Sequence, residues 1–248
     1  MLSKSKDFLW LNIRELPYFR GLLRAVEARF YQDTVLESPV LDLGCGDGTF
    51  SKITFDKTLD VGLDTWAGSL RSARDSKRYK IIVQASGTEI PFPAKHFQSI
   101  ISNSVLEHIT DVDSVLSEAA RILKPGGVFL FCVPNQNFLP NLSVSALLDR
   151  FGIKFLAELY RTFFNKISRH YHCDPPNVWE KRLINVGFVI EEYWNYFSPS
   201  ALHVLEWGHY FGLPSLVAHW IFGRWILIPK GWNLAVTKKL LHKYYLED

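Results

Sequence analysis

The chain has 248 residues, 48% of them hydrophobic and 15% aromatic, and a formal net charge of +3; this allows one large α/β domain with additions, or at most two small domains, and the charge is too mild to argue for nucleic acid. Its three cysteines, Cys45, Cys132 and Cys173, are odd in number and scattered, so they form no disulfide framework or paired-cysteine zinc spacing, and a reducing cytoplasm is the expected setting. The N-terminus lacks an apolar core followed by a small-residue cleavage site, and no stretch offers about 20 predominantly apolar, uncharged residues, so the expectation is a soluble protein or one lying on a membrane surface.

Residues 15–33 read as a helix, because Phe19, Leu22, Leu23, Val26 and Phe30 recur at helical spacing. It either packs on the edge of the core or covers a ligand through Tyr18 or Arg20. Residues 40–43 are a short apolar strand that runs into Gly44, Gly46 and Gly48 at every second position. Alternating glycines after a strand make a tight turn with bare backbone open to a ligand. Asp42, two residues before the first glycine, would repel a phosphate but suits a ligand carrying positive charge and hydroxyl groups.

A helix follows from about Thr49, then a second strand over Leu59–Leu63 that ends at Asp64. A helix containing Ser69 and Ala73 leads to a third strand at Lys80–Gln84. Residues 85–92 read as a loop with two apolar anchors, 97–103 as a fourth strand, and 113–123 as a helix ended by Lys124-Pro125-Gly126-Gly127. Val128–Val133 is a fifth strand. Strands alternating with helices at this spacing predict a parallel sheet covered on both faces.

From Pro134 the pattern changes. Residues 135–174 mix Asn, Pro, aromatic and basic residues around an apolar helix near 144–163, as expected of an insertion over the carboxyl ends of the strands. A short helix at 178–186 ends at Gly187, and Phe188–Phe197 reads as a returning strand. Beyond Ser198 the chain is rich in aromatic residues up to Trp232, then closes on a basic helix, Leu234–Tyr245.

The order of these signals resembles the class I S-adenosylmethionine-dependent methyltransferases, most closely the type-11, ubiquinone/menaquinone-methyltransferase-like subgroup. The resemblance rests on Val40–Phe50, Val61–Asp64, Ala85–Phe92 with Ser102–Ile109, and Arg121–Val133, in the family's order and spacing. It implies a Rossmann-like, doubly wound, mostly parallel seven-stranded α/β sheet, with an N-terminal helix and a C-terminal aromatic extension. As one domain, 1–248 would divide into a helical cap (1–37), cofactor core (38–134), acceptor-side insertion (135–174), end of the core (175–197) and extension (198–248). By the same resemblance, Gly44, Cys45 and Gly46 line the methionine part of S-adenosylmethionine, and Asp42 holds its amino group directly or through water. Asp64, with Thr65 beside it, accepts from both ribose hydroxyls. Ser86 stands where relatives carry an Asp on the adenine amino group, which weakens that contact; Gly87 offers backbone to the same ring. Asn103 and Ser104 lie beneath the sulfonium, and the product is S-adenosylhomocysteine. His170–Gly187 is similar to the His-rich loop, Trp-containing helix and Gly-Phe step of methyltransferases found near glycan-building enzymes.

A nicotinamide dehydrogenase is the rival from another class. Its Gly-x-Gly-x-x-Gly faces pyrophosphate, whereas here the spacing is Gly-x-Gly-x-Gly with Asp42 and Asp47 alongside. A module that binds S-adenosylmethionine without transferring methyl is the second alternative, supported only by Ser86.

Methyl transfer to a hydroxyl needs alignment and a base. His108 is one candidate, against a ring that merely closes the pocket. His170 and His172 are others, against an ordinary surface loop; the cluster they form with Cys173 lacks a second, well-spaced ligand group, so no metal is expected. Asp174-Pro175-Pro176-Asn177 resembles the step of amino-directed methyltransferases but comes far too late after the fourth strand, and it reads as a helix start. A nucleic-acid acceptor is therefore disfavoured. Trp194, Trp207, Trp220, Trp225 and Trp232, with Lys230, Lys238, Lys239 and Lys243, either cover the sheet edge and wall the acceptor pocket or meet an anionic membrane through 198–245. The expected function is methyl transfer to a hydroxyl of a glycan, lipid-linked or quinone-like small molecule.

Overall fold

A computed structural model describes residues 6–32 and 34–246. The chain, read above as one domain, groups into two compact units. A sheet unit holds Thr34–Leu139 and Thr162–Trp194; a helical unit holds the described residues of Met1–Asp33, Pro140–Arg161 and Asn195–Asp248. In chain order come α1 (Phe8–Ile13), α2 (Tyr18–Phe30), β1 (Val40–Leu43), α3 (Thr49–Thr54), β2 (Leu59–Asp64), α4 (Ala67–Asp75) and β3 (Tyr79–Gln84). Next are β4 (Phe97–Asn103), a 3-10 turn (Leu106–His108), α5 (Val112–Ile122) and β5 (Leu123–Cys132). The remaining helices are α6 (Ser143–Arg150), α7 (Lys154–Ser168), α8 (Pro176–Asn185), α9 (Pro199–Phe211), α10 (Leu213–Phe222) and α11 (Gly231–Leu246).

Within the sheet unit the strands lie in the order β3-β2-β1-β4-β5, and every pairing is parallel. Every residue of β1 is buried, which is why apolar Val40, Leu41 and Leu43 fill it without alternation and Asp42 is the one polar side chain in it. α5 shows how a covering helix is encoded. Asp111 caps it by accepting from the Ser114 N–H at 3.2 Å, and Val112, Val115, Leu116, Ala119 and Ile122 form its buried stripe. Burying each of the larger side chains is worth about 1.5–3 kcal/mol. Trp179 and Leu183 of α8 join the same core. The strand order reverses between β1 and β4, one running out to β2 and β3 and the other to β5. In an open parallel sheet the crevice beyond the carboxyl ends of two such strands is where ligands bind.

Four expectations are corrected. The described residues contain five strands, not seven, and Phe188–Phe197 forms none of them. Phe188 and Ile190 still pack on the core while Val189, Tyr193 and Trp194 face solvent. Among the described residues β5 pairs with β4 and the segment finds no ladder partner, and strand propensity without a partner makes no strand. The helix expected over 15–33 is the shorter α2, which starts after Pro17, with α1 a separate helix ahead of it that was not expected, and the apolar helix near 144–163 is broken at Gly152, whose φ is +75°. Pro176 does open α8, as the Asp-Pro-Pro step predicts.

The helical unit has polar anchors of its own. Glu206, fully buried on α9, accepts from the N–H groups of Ser143 and Val144 at 2.6 and 3.2 Å and from the Tyr160 hydroxyl at 2.6 Å. A buried carboxylate placed at the start of α6 satisfies that helix's first amides. Close contact of α9 with α2 requires Gly208, where a Cβ would fall 2.2 Å from that of Phe19. The aromatic stretch after Ser198 supplies α9 and α10, and residues 223–230, outside any helix, lead on to α11.

Candidate functional site

The turn after β1 is built by backbone. The N–H groups of Gly44 and Cys45 both donate to the Leu63 carbonyl, at 2.8 and 2.9 Å, which ties the turn to the end of β2. Asp64 completes the junction, with Oδ2 accepting from the Gly46 N–H and Oδ1 from the Trp66 N–H, each at 2.9 Å. Each oxygen keeps further acceptor capacity for ligand hydroxyls. Two of the glycines serve different ends. At Gly44, φ is +81° and a Cβ would lie 2.5 Å from Cγ1 of Val105, so the absence of a side chain lets the turn press against the residues after β4. At Gly46, φ is +55° and a Cβ would meet nothing within 4 Å. That open space beside Asp64 is the room a ligand would use.

Asp42 sits beneath the turn and is only 4% exposed. Its Oδ2 accepts from the Ser51 hydroxyl at 2.5 Å and from the Tyr79 hydroxyl at 2.7 Å. Burial pushes its carboxyl up to about 6, against the lowering effect of the two hydroxyls, and Asp64 nearby pushes in the same upward direction. The Cys45 thiol is also pushed up by burial and by Asp42 and Asp64, so Cys45 stays a neutral thiol and can meet a ligand only through backbone or sulfur contact.

The Asp42 shift predicts a pH effect. A carboxyl whose pKa rises on folding from 3.8 to about 6 binds its proton more tightly when folded. Its stabilising contribution is fully present below pH 3.8 and is lost as pH rises through about 6. The change amounts to about 3 kcal/mol. In urea unfolding across this range, the stability difference between Asp42→Asn and wild type should therefore shift in favour of the Asn variant as pH rises. Parallel curves would refute the assignment.

The loop over 85–92 is held by a clamp that the sequence reading does not single out. Glu118 Oε2 accepts from the Ile90 N–H at 2.7 Å, and Arg121 donates to the carbonyls of Ile90 and Phe92 at 2.9 and 2.8 Å. Arg121 and Glu118 also pair directly at 2.6 Å. Ser86 is exposed, with its hydroxyl 2.7 Å from that of Thr88 and accepting from the Thr88 N–H at 3.2 Å. Gly87 is buried, where a Cβ would touch Val115 at 3.4 Å. Asn103 closes β4, and the Ser102 hydroxyl donates to the Leu43 carbonyl at 2.9 Å, joining the ends of β4 and β1. Ser104 has φ +52°, an unfavourable region for a serine, while its N–H donates to Cys132. Thr65 is exposed, and its carbonyl accepts from Gln84.

Of the three histidines, two come together. His108 and His170 have ring centroids 5.2 Å apart, and His108 Nδ1 lies 3.0 Å from the Arg169 carbonyl. The Cys173 thiol, pushed up to about 12 by burial and by Glu107 and Asp174, lies 3.7 Å from His170 Nδ1. His172 is placed differently. Its Nε2 is 3.0 Å from the Ile109 carbonyl and its Nδ1 3.4 Å from Asp174, which also pairs with Arg182. With both ring nitrogens so engaged, His172 joins the segment after the 3-10 turn to the start of α8.

The sequence reading also misses Trp66. This indole is 71% exposed directly after Asp64 and Thr65. In the sequence the signal is an aromatic residue two positions after the acid that ends β2.

The arrangement fits a nucleoside carrying a sulfonium amino acid. A two-oxygen acceptor for vicinal hydroxyls stands beside open space at Gly46, and two acids, Asp42 and Asp64, disfavour a phosphate.

Comparison with known proteins agrees with this geometry. Residues 41–131 match the Methyltransf_11 family, a methyltransferase domain. The ubiquinone/menaquinone biosynthesis C-methyltransferase UbiE of Shewanella sediminis is 31% identical over 179 residues, covering 63% of this chain and 68% of that protein. The malonyl-[acyl-carrier protein] O-methyltransferase of Salmonella typhimurium is 35% identical over 104 residues, covering 42% and 41%. The chain spans 66%, 38% and 52% of the lengths of three further curated relatives, two of them UbiE proteins from Vibrio. Among solved structures, a methyltransferase from Thermotoga maritima superposes with a TM-score of 0.55 at 18% identity, covering 74% of this chain and 79% of that one. That likeness speaks for the fold.

Proposed function

The chain belongs to the class I S-adenosylmethionine-dependent methyltransferases of the type-11, UbiE-like kind, and from that premise we propose that it methylates an oxygen of a glycan, lipid-linked or quinone-like small molecule. The observation that carries the reading is the crevice between β1 and β4, where the glycine turn, Asp64 and the end of β4 meet. S-adenosylmethionine would supply a methyl group on positively charged sulfur. The chain's part is to hold that group, align an acceptor behind it and take up a proton.

Asp64 takes both ribose hydroxyls, with Thr65 alongside. Gly44, Cys45 and Gly46 line the amino-acid portion, and Asp42, being buried, reaches the amino group through water. Ser86 and Gly87 would edge the adenine, Asn103 and Ser104 would lie beneath the sulfonium, and His108 with His170 would receive the acceptor oxygen. Trp66 stacks on the base. Since base–aromatic stacking is worth about 1–3 kcal/mol, Trp66→Ala should weaken S-adenosylmethionine binding roughly tenfold or more. Its thermal stability should be unchanged, because the ring is exposed. Unchanged affinity in a titration would remove Trp66 from the site.

The test of the function is transfer of tritiated methyl from S-adenosylmethionine into fractionated cell extract. Label entering lipid, glycan or quinone-like fractions, and lost in Asp64→Ala, supports the proposal. Cofactor binding with no label in any fraction would favour a binding module instead. The UbiE relatives are named as C-methyltransferases, which favours a second reading. In it the acceptor is a ring carbon beside a hydroxyl, and removal of the hydroxyl proton activates that carbon; a label on carbon rather than oxygen distinguishes the two.

Contact with an anionic membrane is part of the same proposal. In the helical unit, Leu213, Leu216, Val217, Trp220, Ile221 and Phe222 of α10 are all more than half exposed. Arg224, Lys230 and Lys239 lie nearby in the chain and are exposed too. Aromatic and aliphatic side chains with basic neighbours suit the interface of an anionic bilayer. No helix among the described residues is long and apolar enough to cross a membrane. The protein should float with anionic liposomes at low salt, and less so at high salt; protein that stays at the bottom at low salt refutes the contact.

A further inference from the structure

Glu107 and His108 stand in the 3-10 turn just after β4, and His170 follows α7 more than sixty residues later. The fold of the sheet unit brings them together. Each offers one ligand atom, and these three atoms all lie within 4.8 Å of one another. We infer that Glu107, His108 and His170 form a binding site for one divalent first-row transition ion of the Zn2+ or Fe2+ class.

Four features carry the inference. The donor set comes first: two imidazoles and a carboxylate suit Zn2+, Fe2+ or Co2+, whereas Mg2+ and Ca2+ take mostly oxygen ligands. The second is the electrostatic setting. The Glu107 side chain is only 3% exposed, with Oε1 3.8 Å from His108 Nε2, so an anionic ligand is offered in a position of low dielectric. Third is the outer support. His108 Nδ1, 3.0 Å from the Arg169 carbonyl, must be the protonated nitrogen, which leaves the lone pair on Nε2, the atom nearest Glu107. A carbonyl behind a histidine is the usual means of fixing a ligating tautomer. The ring of His170 is steadied edge-on by Phe138 at 4.9 Å. The fourth feature is the stapling of the two ligand-bearing segments. Tyr171 N–H donates to the Glu107 carbonyl at 2.7 Å, and the Asn165 side-chain amide donates to the His170 carbonyl at 3.1 Å.

An ion with bonds of about 2.0–2.2 Å holds its ligand atoms roughly 3–3.5 Å apart. From at most 4.8 Å the ligand atoms must therefore close by no more than roughly 1–2 Å. Three protein ligands leave at least one position for water or another oxygen, the pattern of a substrate-binding rather than a structural site. That the open position receives the acceptor hydroxyl and lowers its pKa rests on the methyl-transfer reading; metal binding itself does not. The sequence reading expects no metal because it weighs 170–173 alone, and spacing along the chain cannot show that Glu107 and His108 complete the set.

The test uses tag-free protein stripped with a chelator and titrated with Co2+, without S-adenosylmethionine. Visible absorption should saturate at one equivalent and be displaced by Zn2+. His108→Ala and His170→Ala should each lower the affinity by more than the roughly 100-fold typical of losing an outer-shell partner, while exposed His242→Ala leaves it unchanged. Circular dichroism confirms folding, and if His170→Ala does not fold, His108→Ala decides alone. Folded wild-type protein that takes up no equivalent of Co2+, or affinity unchanged in the histidine variants, overturns the site. Since no cofactor is present, that failure is separate from any failure to bind S-adenosylmethionine.

Discussion

Asp64→Ala is expected to lower the affinity for S-adenosylmethionine by about a hundredfold or more while the protein stays folded. Hydrogen bonds to a charged group contribute about 1.5–3 kcal/mol each, and this carboxylate would receive two from the ribose. Water entering the vacated space offsets part of the loss. The carboxylate also anchors the N–H groups of Gly46 and Trp66 at 2.9 Å, so the variant loosens the turn that lines the rest of the ligand. Both amides lie near solvent, and stability should fall by only about 1 kcal/mol. Titration calorimetry and thermal unfolding separate the two effects. Equal losses of folding and binding would mean that Asp64 holds only the turn.

The largest effect on folding should come from Gly44→Ala. A Cβ there would sit 2.5 and 2.6 Å from the two Cγ atoms of Val105, with φ at +81°. Overpacking costs about 1–3 kcal/mol and left-handed backbone about 1–2 kcal/mol, so a total of about 2–5 kcal/mol is expected. Adding Val105→Ala should recover the steric part, leaving the double variant about 2 kcal/mol more stable than the sum of the single effects. Additive effects in urea unfolding would show that Val105 does not press on the turn. The link matters because Val105 precedes the 3-10 turn bearing Glu107 and His108. One contact thus ties the glycine turn to the histidine side of the crevice.

Much of this was legible from local pattern. β1 and β4 fall on the residues expected, since a run of buried apolar residues between turn signals is encoded within the element itself. Asp64 was legible because it ends β2. Elements that depend on a distant partner were not. Phe188–Phe197 is rich in the β-branched and aromatic residues of a strand, but whether an extended segment pairs is settled by its neighbour. Glu118 and Arg121 look like an ordinary helical ion pair until the fold lays the 85–92 loop against them. His172 looked equivalent to His170 in sequence, yet only one of them meets His108. The helical unit gathers three separated stretches of chain, and no local periodicity announces such a union.

The central claim, that the glycine turn and Asp64 form a site for S-adenosylmethionine, is tested most directly by calorimetric titration of the wild-type protein with S-adenosylhomocysteine, with NADH run in parallel. The expected result is saturable binding at one site for S-adenosylhomocysteine and none for NADH. A well-folded sample that binds no S-adenosylhomocysteine, or binds NADH instead, would contradict it.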